Sequence, residues 1–429
     1  MLKQIVHHST KLITFIVLLQ LNLSRPQRKH VQRIADAVIV SDMRHKTLSS
    51  LYALIVDAPD PSNGADCLRI SPWEGREIRE TISAFVTGDL LAYAEAEGEK
   101  VIFVSIDDSL SEKDKGTRHI EPVSFHHNHT KSTPGKAVYS NGSVHIEVRL
   151  QVGSLAYSYD HRLYLREKTV RRLTHHRPKG ERLRYRSKYS LAREMLAQLQ
   201  KQLPKGYRVY VLFDSWYASN KLLKFCRRQG WHVICAIKSN RLLNDKKLSQ
   251  WNRDLKHQRY TRVKLTATDQ KERLYLVRQL RGKLRKLPFE VCVFISKRHR
   301  GDQHPKYFLS TDLDLSAQEG LSTYQARWPI EVDNFYLKQH LGLGDFRVQF
   351  YEAVEKWYAI VFLALTYLQW RLNHPEDTER FNALADVIRA HRHEHACQLL
   401  TAACEQAVQL GQVQPVLNRF IQSPPPKPT

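Results

Sequence analysis

The stretch that decides the fold is VYVLFDSWYAS, residues 209–219. Five mostly apolar residues that favour β structure lead to Asp214, and small residues then interrupt the pattern. One interpretation is a capped strand end with a solvated aspartate. The other is a carboxylate at the carboxyl end of a buried strand, which is where open α/β sheets bind their ligands. The stretch alone leaves both interpretations open, so the decision rests on the rest of the chain.

The charge of the chain is strongly unbalanced. Its 429 residues include 67 Lys and Arg but 43 Asp and Glu, which gives a formal net charge of +24. Such a surplus favours a polyanionic partner, and nucleic acid is the first candidate. An anionic membrane surface is the weaker alternative, because no long basic amphipathic helix stands out. The length indicates roughly two or three domains.

The cysteines and the apolar N-terminal stretch indicate a cytoplasmic protein with no membrane partner. Six cysteines are scattered without a C-x-x-C pair, so the sequence predicts neither a disulfide framework nor a cysteine zinc site. Residues 12–23 are apolar, but they lack a small-x-small cleavage site and are too short to span a bilayer. We therefore expect them to form a buried helix.

The order of the predicted elements indicates an α/β fold. Residues 1–95 have the pattern of short helices with a loop at 57–64, and we expect this region to bind DNA, with a packing role as the alternative. A strand over 101–109 is predicted to end in two acids. The predicted elements that follow are a hairpin (143–165), a helix (191–203), a strand (207–213), a helix (221–228) and a strand (231–239). A hairpin followed by a βαβ unit predicts a mixed sheet with helices on both faces.

Two segments of the chain are densely basic. Residues 241–300 contain 18 Lys and Arg against 5 Asp and Glu, and residues 166–188 contain 10 against 2. Strand-like runs within 240–305 predict a basic β-rich insertion between core elements. A merely solvated face is the alternative. Because the two segments flank strands that lead to acids, we expect them to face phosphates.

The C-terminal part of the chain is predicted to be helical after a strand at 306–311. The apolar stretch 357–370 has only 14 residues, so it indicates a core helix and not a membrane span. The Pro-rich residues 421–429 have the composition of a disordered tail.

The chemistry is concentrated in YQARWPIEVDNFYLKQHLGLG, residues 324–344. Tyr324, Arg327, Glu331 and Lys338 follow one another at offsets of 3, 4 and 7, which places them near one face of a helix. Pro329 is best placed as a first helical residue, so that Glu331 lies in the first turn and Tyr324 and Arg327 precede it. A surface helix with salt-bridge spacing is the alternative, but it does not explain the surrounding apolar residues.

These residues resemble the Y-x2-R-x3-E-x6-K signature of insertion-sequence transposases of the DDE type, over about residues 25–372. The segment IDDS, residues 106–109, resembles the family's first aspartate segment, and FDSWYAS, residues 213–219, resembles the second. The resemblance implies an RNase H-like core with a β-strand insertion before the third acid. It divides the chain into six parts. These are a helical N-terminal domain (1–95), the first part of the core (96–239), the insertion (240–305), the last part of the core with the helix that carries Glu331 (306–345), the C-terminal helices (346–420) and a tail (421–429).

The resemblance implies a DNA transposase of an insertion sequence. It would bind the terminal inverted repeats of its element, cut double-stranded DNA there and join the ends to a target, as a homodimer in the bacterial cytoplasm that associates with the nucleoid when bound to DNA. Asp107, Asp214 and Glu331 would be the catalytic acids and would hold two Mg²⁺ ions, for which Mn²⁺ can substitute. Arg327 and Lys338 would hold phosphates, and Tyr324 would add a hydrogen bond.

The choice of the first acid lies between Asp107 and Asp108, which point to opposite faces of a strand. The Asp-x-Ser/Thr pattern of the family favours Asp107, with Asp108 as the alternative. Lys238 and Trp251 are further candidate DNA contacts. Trp251 either stacks on a flipped base or is a hydrophobic anchor.

Two histidine-rich runs do not favour metal binding. His126, His127 and His129 lack a suitably spaced partner, so a loop near DNA is the better interpretation. His391, His393 and His395 alternate along a helix, and alternate positions do not share a face.

Two other functions compete with a transposase. An RNase H-like nuclease or resolvase would keep the acids but would not need the Tyr-Arg-Glu-Lys set. A catalytically silent DNA-binding relic of a transposase would not need the acids.

Overall fold

The computed structural model describes residues 2–133, 135–175, 177–266 and 271–421. The helices and strands, in chain order, are α1 (Thr10–Leu18), α2 (Arg25–Val40), α3 (Leu48–Tyr52), α4 (Pro61–Arg69), α5 (Gly75–Ala96), β1 (Val101–Glu112), β2 (Ser124–His127), β3 (Tyr139–Val152), β4 (Leu155–Tyr164), α6 (Glu167–His175), α7 (Lys188–Gln202), β5 (Arg208–Phe213), α8 (Asn220–Arg228), β6 (His232–Ile237), β7 (Leu242–Leu243), β8 (Lys246–Lys247), α9 (Leu248–Asp254), β9 (Thr261–Thr266), β10 (Glu272–Lys283), β11 (Glu290–Lys297), β12 (Lys306–Ser310), α10 (Ala317–Gln325), α11 (Pro329–Phe335), α12 (Tyr351–Asn373), α13 (Leu384–Leu410) and α14 (Gln414–Phe420). All of the predicted tail except its first residue lies outside the described residues.

Ten strands of the described residues form one mixed sheet, in the order β2-β3-β1-β5-β6-β12-β11-β10-β9, with β4 paired to β3. The strands β1, β5 and β6 are parallel neighbours, and the other pairs are antiparallel. This arrangement confirms the predicted α/β class with an RNase H-like mixed sheet. The predicted hairpin is β3–β4, and it turns at Gly153, whose φ of 52° suits a glycine.

The basic segment 240–305 continues the same sheet. Its strands β9, β10 and β11 pair in succession, and β12 joins β11 to β6. The three strand-like runs predicted there are therefore confirmed. A small core of its own lies where these strands pack on α10, and it contains Val263, Val277, Cys292, Phe294, Ala317 and Leu321. The division of the chain into domains remains a prediction.

Helices cover the sheet and are themselves centred on α12. Nearly every side chain of α12 between Ala353 and Gln369 is buried, and the helix contacts α2, α4, α5 and α13. The stretch 357–370 is thus a core helix, as predicted. No helix of the described residues is long and apolar enough to cross a membrane.

Two local predictions in the N-terminal region need correction. The loop predicted at 57–64 is confirmed for 57–60 and wrong for 61–64, because Asp60 accepts a hydrogen bond from the backbone N–H of Ser62 at 2.8 Å and α4 begins at Pro61. An aspartate followed by proline is a helix start as well as a turn signal. The helix predicted within 12–23 ends at Leu18, and its exposed residues Val17 and Leu18 show that it is buried on one face only.

We expect Gly75→Ala to lower the free energy of unfolding. Gly75 starts α5 against α12, and an added Cβ would lie 2.8 Å from the backbone carbonyl oxygen of Glu355, which cannot move away alone. Gly88→Ala, in the same helix with no heavy atom within 4 Å, is the matched control and should gain about 0.5–1 kcal/mol. Urea unfolding of both variants measures the difference. An equal gain in both would contradict the close packing of the two helices.

Candidate active site

The parallel pairing of β1 with β5 brings the first two candidate acids together. The register places Ile106 beside Phe213, so the next residues along the two strands are Asp107 and Asp214. Neighbours in a parallel register project to the same face of the sheet, and Asp108 projects to the other face. This geometry supports Asp107 over Asp108 as the partner of Asp214.

The prediction that β1 ends at the two acids is wrong. The strand continues to Glu112, because β3 remains paired with it as far as the pair Glu112–Gly142. Asp107 and Asp108 therefore lie in the middle of β1. They follow directly after the part of β1 that pairs with β5. The two acids therefore still lie where the parallel pairing of β1 with β5 ends.

Arg327 connects Asp107 to Glu331. Its guanidinium Nη1 lies 3.4 Å from Asp107 Oδ2, and its Nη2 lies 2.7 Å from Glu331 Oε1. The side chains of Arg327 and Asp107 are only 11% and 17% exposed, so their ion pair is largely shielded from water, whereas Glu331 is 43% exposed. A residue of the Tyr-Arg-Glu-Lys set thus joins the acid of a strand to the acid of a helix across 220 positions of sequence.

Burial raises the pKa of Asp107 to about 7, and the carboxylates of Asp108, Glu331 and Asp214 act in the same direction. The Arg327 guanidinium opposes them but does not cancel them. Burial also raises the pKa of Asp214, against hydrogen bonds from two backbone N–H groups. Burial and the neighbouring carboxylates therefore both disfavour the ionised form of Asp107.

Asp214 is held by the turn that follows β5. Its Oδ1 accepts hydrogen bonds from the backbone N–H of Trp216 at 2.9 Å and of Tyr217 at 3.3 Å. An aspartate side chain commonly closes such a turn on its own backbone. Asp108, on the opposite face, is instead paired with Lys188 at 2.5 Å. This pair fixes the end of the predicted basic segment 166–188 beside the acids.

The Tyr-Arg-Glu-Lys set spans a broken helix. Tyr324 lies in α10, Arg327 lies in the turn that follows, and Pro329 is the first residue of α11, as predicted. Glu331 is in the first turn of α11, and Lys338 lies in a π-helical turn, Tyr336–His340. Single π turns are frequent at functional sites.

The outer two members of the set face the same region as the acids. Burial lowers the pKa of Lys338, and the nearby carboxylates of Asp107 and Glu331 oppose the change. Tyr324 packs on Phe308 with ring centroids 4.8 Å apart, and the Arg327 guanidinium carbon lies 5.8 Å from the centre of the Tyr324 ring. Burial raises the pKa of Tyr324 to about 12, so its hydroxyl remains a hydrogen-bond donor.

The donor set of the acids suits a hard divalent cation. Mg²⁺ and Mn²⁺ take carboxylate oxygens, and Asp107, Asp214 and Glu331 supply oxygens without nitrogen or sulfur. Their oxygens are not gathered as closely as in a formed metal cage. Among the described residues, the one group of three His, Cys, Asp or Glu whose ligand atoms all lie within 4.8 Å of one another is elsewhere, at Asp36, His391 and His395. Arg327 is the cation that contacts two of the three acids in this structure.

Two family models match the chain. The model described as "Transposase DDE domain" matches residues 184–367, and the model described as "DDE superfamily endonuclease" matches residues 17–272, which is more than half of the chain. The chain belongs to the DDE superfamily of endonucleases. The matches support a transposase-type polynucleotidyl transferase or endonuclease that acts on DNA and uses divalent metal ions. No curated protein matches the chain.

The remaining predicted contacts of this DDE enzyme lie in different settings. Trp251, in α9, is half-buried against the main core and donates its Nε1–H to the backbone oxygen of Leu243 at 3.0 Å. These contacts are those of a hydrophobic anchor, and the base-stacking role of Trp251 stays a prediction. Lys238 is exposed directly after β6. The loop predicted for the histidine-rich run is wrong for His126 and His127, because both are in β2 and pair with β3. His129 follows the strand, and its ring lies 5.2 Å from that of Trp216, so it borders the turn that holds Asp214.

The sequence did not predict the residues of β3 that hold α11, the helix of Glu331, in place. Asp333 accepts a hydrogen bond from Arg149 Nε at 2.9 Å, and Asn334 Oδ1 lies 3.1 Å from His145 Nε2. All four side chains are buried or nearly so, and they join α11 to β3. The partners are 184 and 189 positions apart, so only an alignment of related sequences could have indicated them.

A cavity of about 920 Å³ beside the site was also not predicted. It lies between the turn that carries Arg327 and the strands β9–β12 of the basic segment. Its walls combine aromatic and basic side chains, including Phe308, Tyr324, Trp328, Lys297 and Lys306.

We expect Asp107→Asn to stabilise the metal-free DDE enzyme more at pH 8 than at pH 5, by about 2 kcal/mol. The carboxyl titrates near 3.8 in an unfolded chain and near 7 in the fold, so the folded state holds an extra proton between these values. The stability of the wild type therefore falls as the pH rises through that window, and an asparagine avoids the loss. Chemical unfolding after treatment with EDTA measures the difference.

The matched control is Asp108→Asn. It removes the partner of Lys188 and should bring no such gain at pH 8. A gain from Asp107→Asn that is the same at pH 5 and pH 8 would contradict the raised pKa.

Proposed function

We propose that this DDE enzyme is a DNA transposase that cleaves DNA at the ends of its own element and joins those ends to a target. Asp107, Asp214 and Glu331 are its catalytic acids. The observation that carries the proposal is the placement of Arg327 between Asp107 and Glu331, with Asp214 next to Asp107 in the sheet. A resolvase with the same acids has no need for this arginine between them.

The three acids would hold divalent cations, which we propose to be two Mg²⁺ ions that Mn²⁺ can replace. Bound there, the ions would activate the attacking water or 3′-hydroxyl and neutralise charge at the scissile phosphate. The raised pKa of Asp107 is consistent with this role, because burial and the neighbouring carboxylates disfavour its ionised form and a bound cation would favour it. The turn that fixes Asp214 uses its Oδ1 atom, and Oδ2 has no hydrogen bond among the described residues, so it would be available to a ligand.

The basic residues would then hold the DNA. When cations neutralise the acids, the guanidinium of Arg327 is free to turn its planar fork to a phosphate. Lys338 lies near the same acids and would add a charge on the phosphate backbone. Tyr324 lines the neighbouring cavity together with Arg327, and its hydroxyl could donate to a phosphate oxygen.

The proposed partner is double-stranded DNA, as the terminal inverted repeats of the element and as target. The basic segments 166–188 and 241–300 adjoin the site through Lys188 and through the cavity wall, which supports this reading. Joining two ends calls for a homodimer in the DNA complex. DNA binding by residues 1–95 and a bacterial cytoplasmic location with nucleoid association are parts of the same proposal.

The decisive test is a cleavage and joining assay on DNA with the flanking repeats of the gene. Purified full-length protein with Mg²⁺ or Mn²⁺ should cut at the element ends. Asp214→Asn and Glu331→Gln should lower the rate at least about 1,000-fold while DNA binding persists, because each removes a carboxylate from the metal site. Asp377→Asn, at an exposed acid outside the site, is the control and should retain full activity.

Two outcomes would contradict the proposal. End binding without metal-dependent cutting in the wild type would indicate a DNA-binding relic. Cutting of branched DNA in preference to the element ends would indicate a resolvase.

A second prediction isolates the arginine. We expect Arg327→Lys to lower the rate of strand cleavage about 10–100-fold, because one ammonium group cannot contact Asp107 and Glu331 together or grip a phosphate with two parallel hydrogen bonds. The concentration of Mn²⁺ for half-maximal rate should change little, since the acids remain. Titration of Mn²⁺ at saturating DNA measures both quantities. A large shift in the Mn²⁺ requirement at an unchanged maximal rate would assign Arg327 to the metal site instead.

A further inference from the structure

A second cluster of titratable side chains lies in the helical part of the molecule, and the proposed reaction does not use it. Asp36 of α2 is fully buried against α13. The Nε2 atoms of His391 and His395 lie 2.8 Å and 2.9 Å from Asp36 Oδ1. The two histidines are four residues apart, so they lie on one face of α13 and both point to the same carboxylate oxygen.

A third imidazole completes the cluster. The Nδ1 atom of His8 lies 2.9 Å from the other carboxylate oxygen of Asp36, and the backbone N–H of Ser9 donates to that oxygen at 3.2 Å. The side chain of His8 is 23% exposed, whereas those of His391 and His395 are buried completely or nearly so. The cluster thus has one member that reaches the surface.

The carboxylate of Asp36 is ionised within this cluster. Burial alone would raise its pKa, but hydrogen bonds from His391, His395 and His8 outweigh burial and hold the pKa well below its usual range. The ring nitrogens that face away from Asp36 differ in their surroundings. His391 Nδ1 lies 3.3 Å from the hydroxyl of Tyr367, whereas His395 Nδ1 is buried with no hydrogen-bond partner among the described residues.

We propose that Asp36, His391 and His395 bind a structural Zn²⁺ ion, with His8 as the fourth ligand. Three imidazoles and a carboxylate are a donor set that suits zinc, whereas Mg²⁺ prefers oxygen ligands alone. The ligand atoms of Asp36, His391 and His395 all lie within 4.8 Å of one another. Four protein ligands leave no open position for a substrate, so the ion stabilises the fold and takes no part in catalysis.

Zinc binding requires a small rearrangement of Asp36, His391 and His395. It requires a larger one of His8, which contacts the other carboxylate oxygen and lies outside the group of ligand atoms within 4.8 Å of one another. Bonds of about 2.0–2.1 Å in a tetrahedron place neighbouring ligand atoms about 3.3 Å apart. The Nε2 atoms of His391 and His395 are 2.8 Å and 2.9 Å from Asp36 Oδ1, so each of these two pairs would open by about 0.4–0.5 Å. The ring protons would move from the bonding nitrogens to the opposite ones, and the imidazoles would stay neutral. The proton on His391 Nδ1 would then face the hydroxyl of Tyr367, as metal-bound histidines usually require.

The ion would join segments that are far apart in the sequence. His391 and His395 are 355 and 359 positions from Asp36, and His8 is 28 positions from it. Ion pairs surround the same junction, because Lys11 contacts Glu379 and Arg371 contacts both Glu379 and Glu394. Zinc would therefore fasten the first residues and α2 to α13 on the side of α12.

The test measures zinc on the full-length protein with the catalytic acids removed. Protein carrying Asp214→Asn and Glu331→Gln is stripped with a chelator, supplied with Zn²⁺ or Co²⁺ and desalted. We expect one equivalent of zinc per chain, and for cobalt the visible absorption of a tetrahedral site. These signals should persist in His393→Ala, which changes an exposed histidine of the same helix. They should be lost in His391→Gln and His395→Gln.

Glutamine is chosen because its side-chain N–H can still donate to Asp36, although it is a poor zinc ligand. The glutamine variants should therefore fold, which far-ultraviolet circular dichroism checks. Zinc should raise the unfolding temperature of the stripped protein by several degrees, Mg²⁺ should not, and the glutamine variants should not respond. A wild-type cluster that retains no zinc after desalting, or retention unchanged by His391→Gln, would overturn the proposal. The cluster would then be a hydrogen-bonded anchor only.

Discussion

The active centre depends on the register between β1 and β5. Those two strands run parallel with Ile106 beside Phe213, and this register alone sets Asp107 next to Asp214. A slip of one residue would place Asp108 there and turn Asp107 to the opposite face, where Lys188 lies. The register is itself enforced by burial, because the residues before the acids in both strands are almost all inaccessible to water. The core that stabilises the sheet therefore also selects which acid lies beside Asp214.

The site is an example of a local cost to stability that a function can require. Burial raises the pKa of Asp107, and the nearby carboxylates of Asp108, Asp214 and Glu331 raise it further. Arg327 and Lys188 offset part of the repulsion among these carboxylates through direct ion pairs. The remainder can be relieved by a bound cation or by protonation. A metal-free protein of this kind is expected to be less stable than its fold alone would allow, and the ligand for which the site is built makes up the difference.

The sequence predicted the class of the fold better than it predicted the boundaries of its elements. The β3–β4 hairpin, the buried strand before Asp214, the helix start at Pro329 and the burial of α12 follow from local patterns, because each is encoded by neighbouring residues. The true end of β1 was missed, because its last residues are held by β3 and not by their own apolar pattern. The helix start at Asp60 was missed because the same residues also form turns.

Long-range contacts were beyond local patterns. The bridge from Arg327 to Asp107, the support of α11 by Arg149 and the contacts of Asp36 with His391 and His395 join residues that are 184 or more positions apart. The histidine run at 391–395 shows how a pattern can mislead. Neighbouring histidines of this run do not share a face of α13, but His391 and His395 do. Only the fold shows that both of them face Asp36 of α2.

The path of the chain through the basic segment has a consequence for how such a protein can vary. The chain leaves the core after β6 and returns on β12, and these two strands are hydrogen-bonded neighbours. Exit and return are therefore about one strand spacing apart, roughly 5 Å. A segment whose ends are so close can be lengthened, shortened or exchanged at a small entropic cost, without moving the strands that carry the acids. Evolution could thus alter the basic segment while Asp107 and Asp214 stay in place.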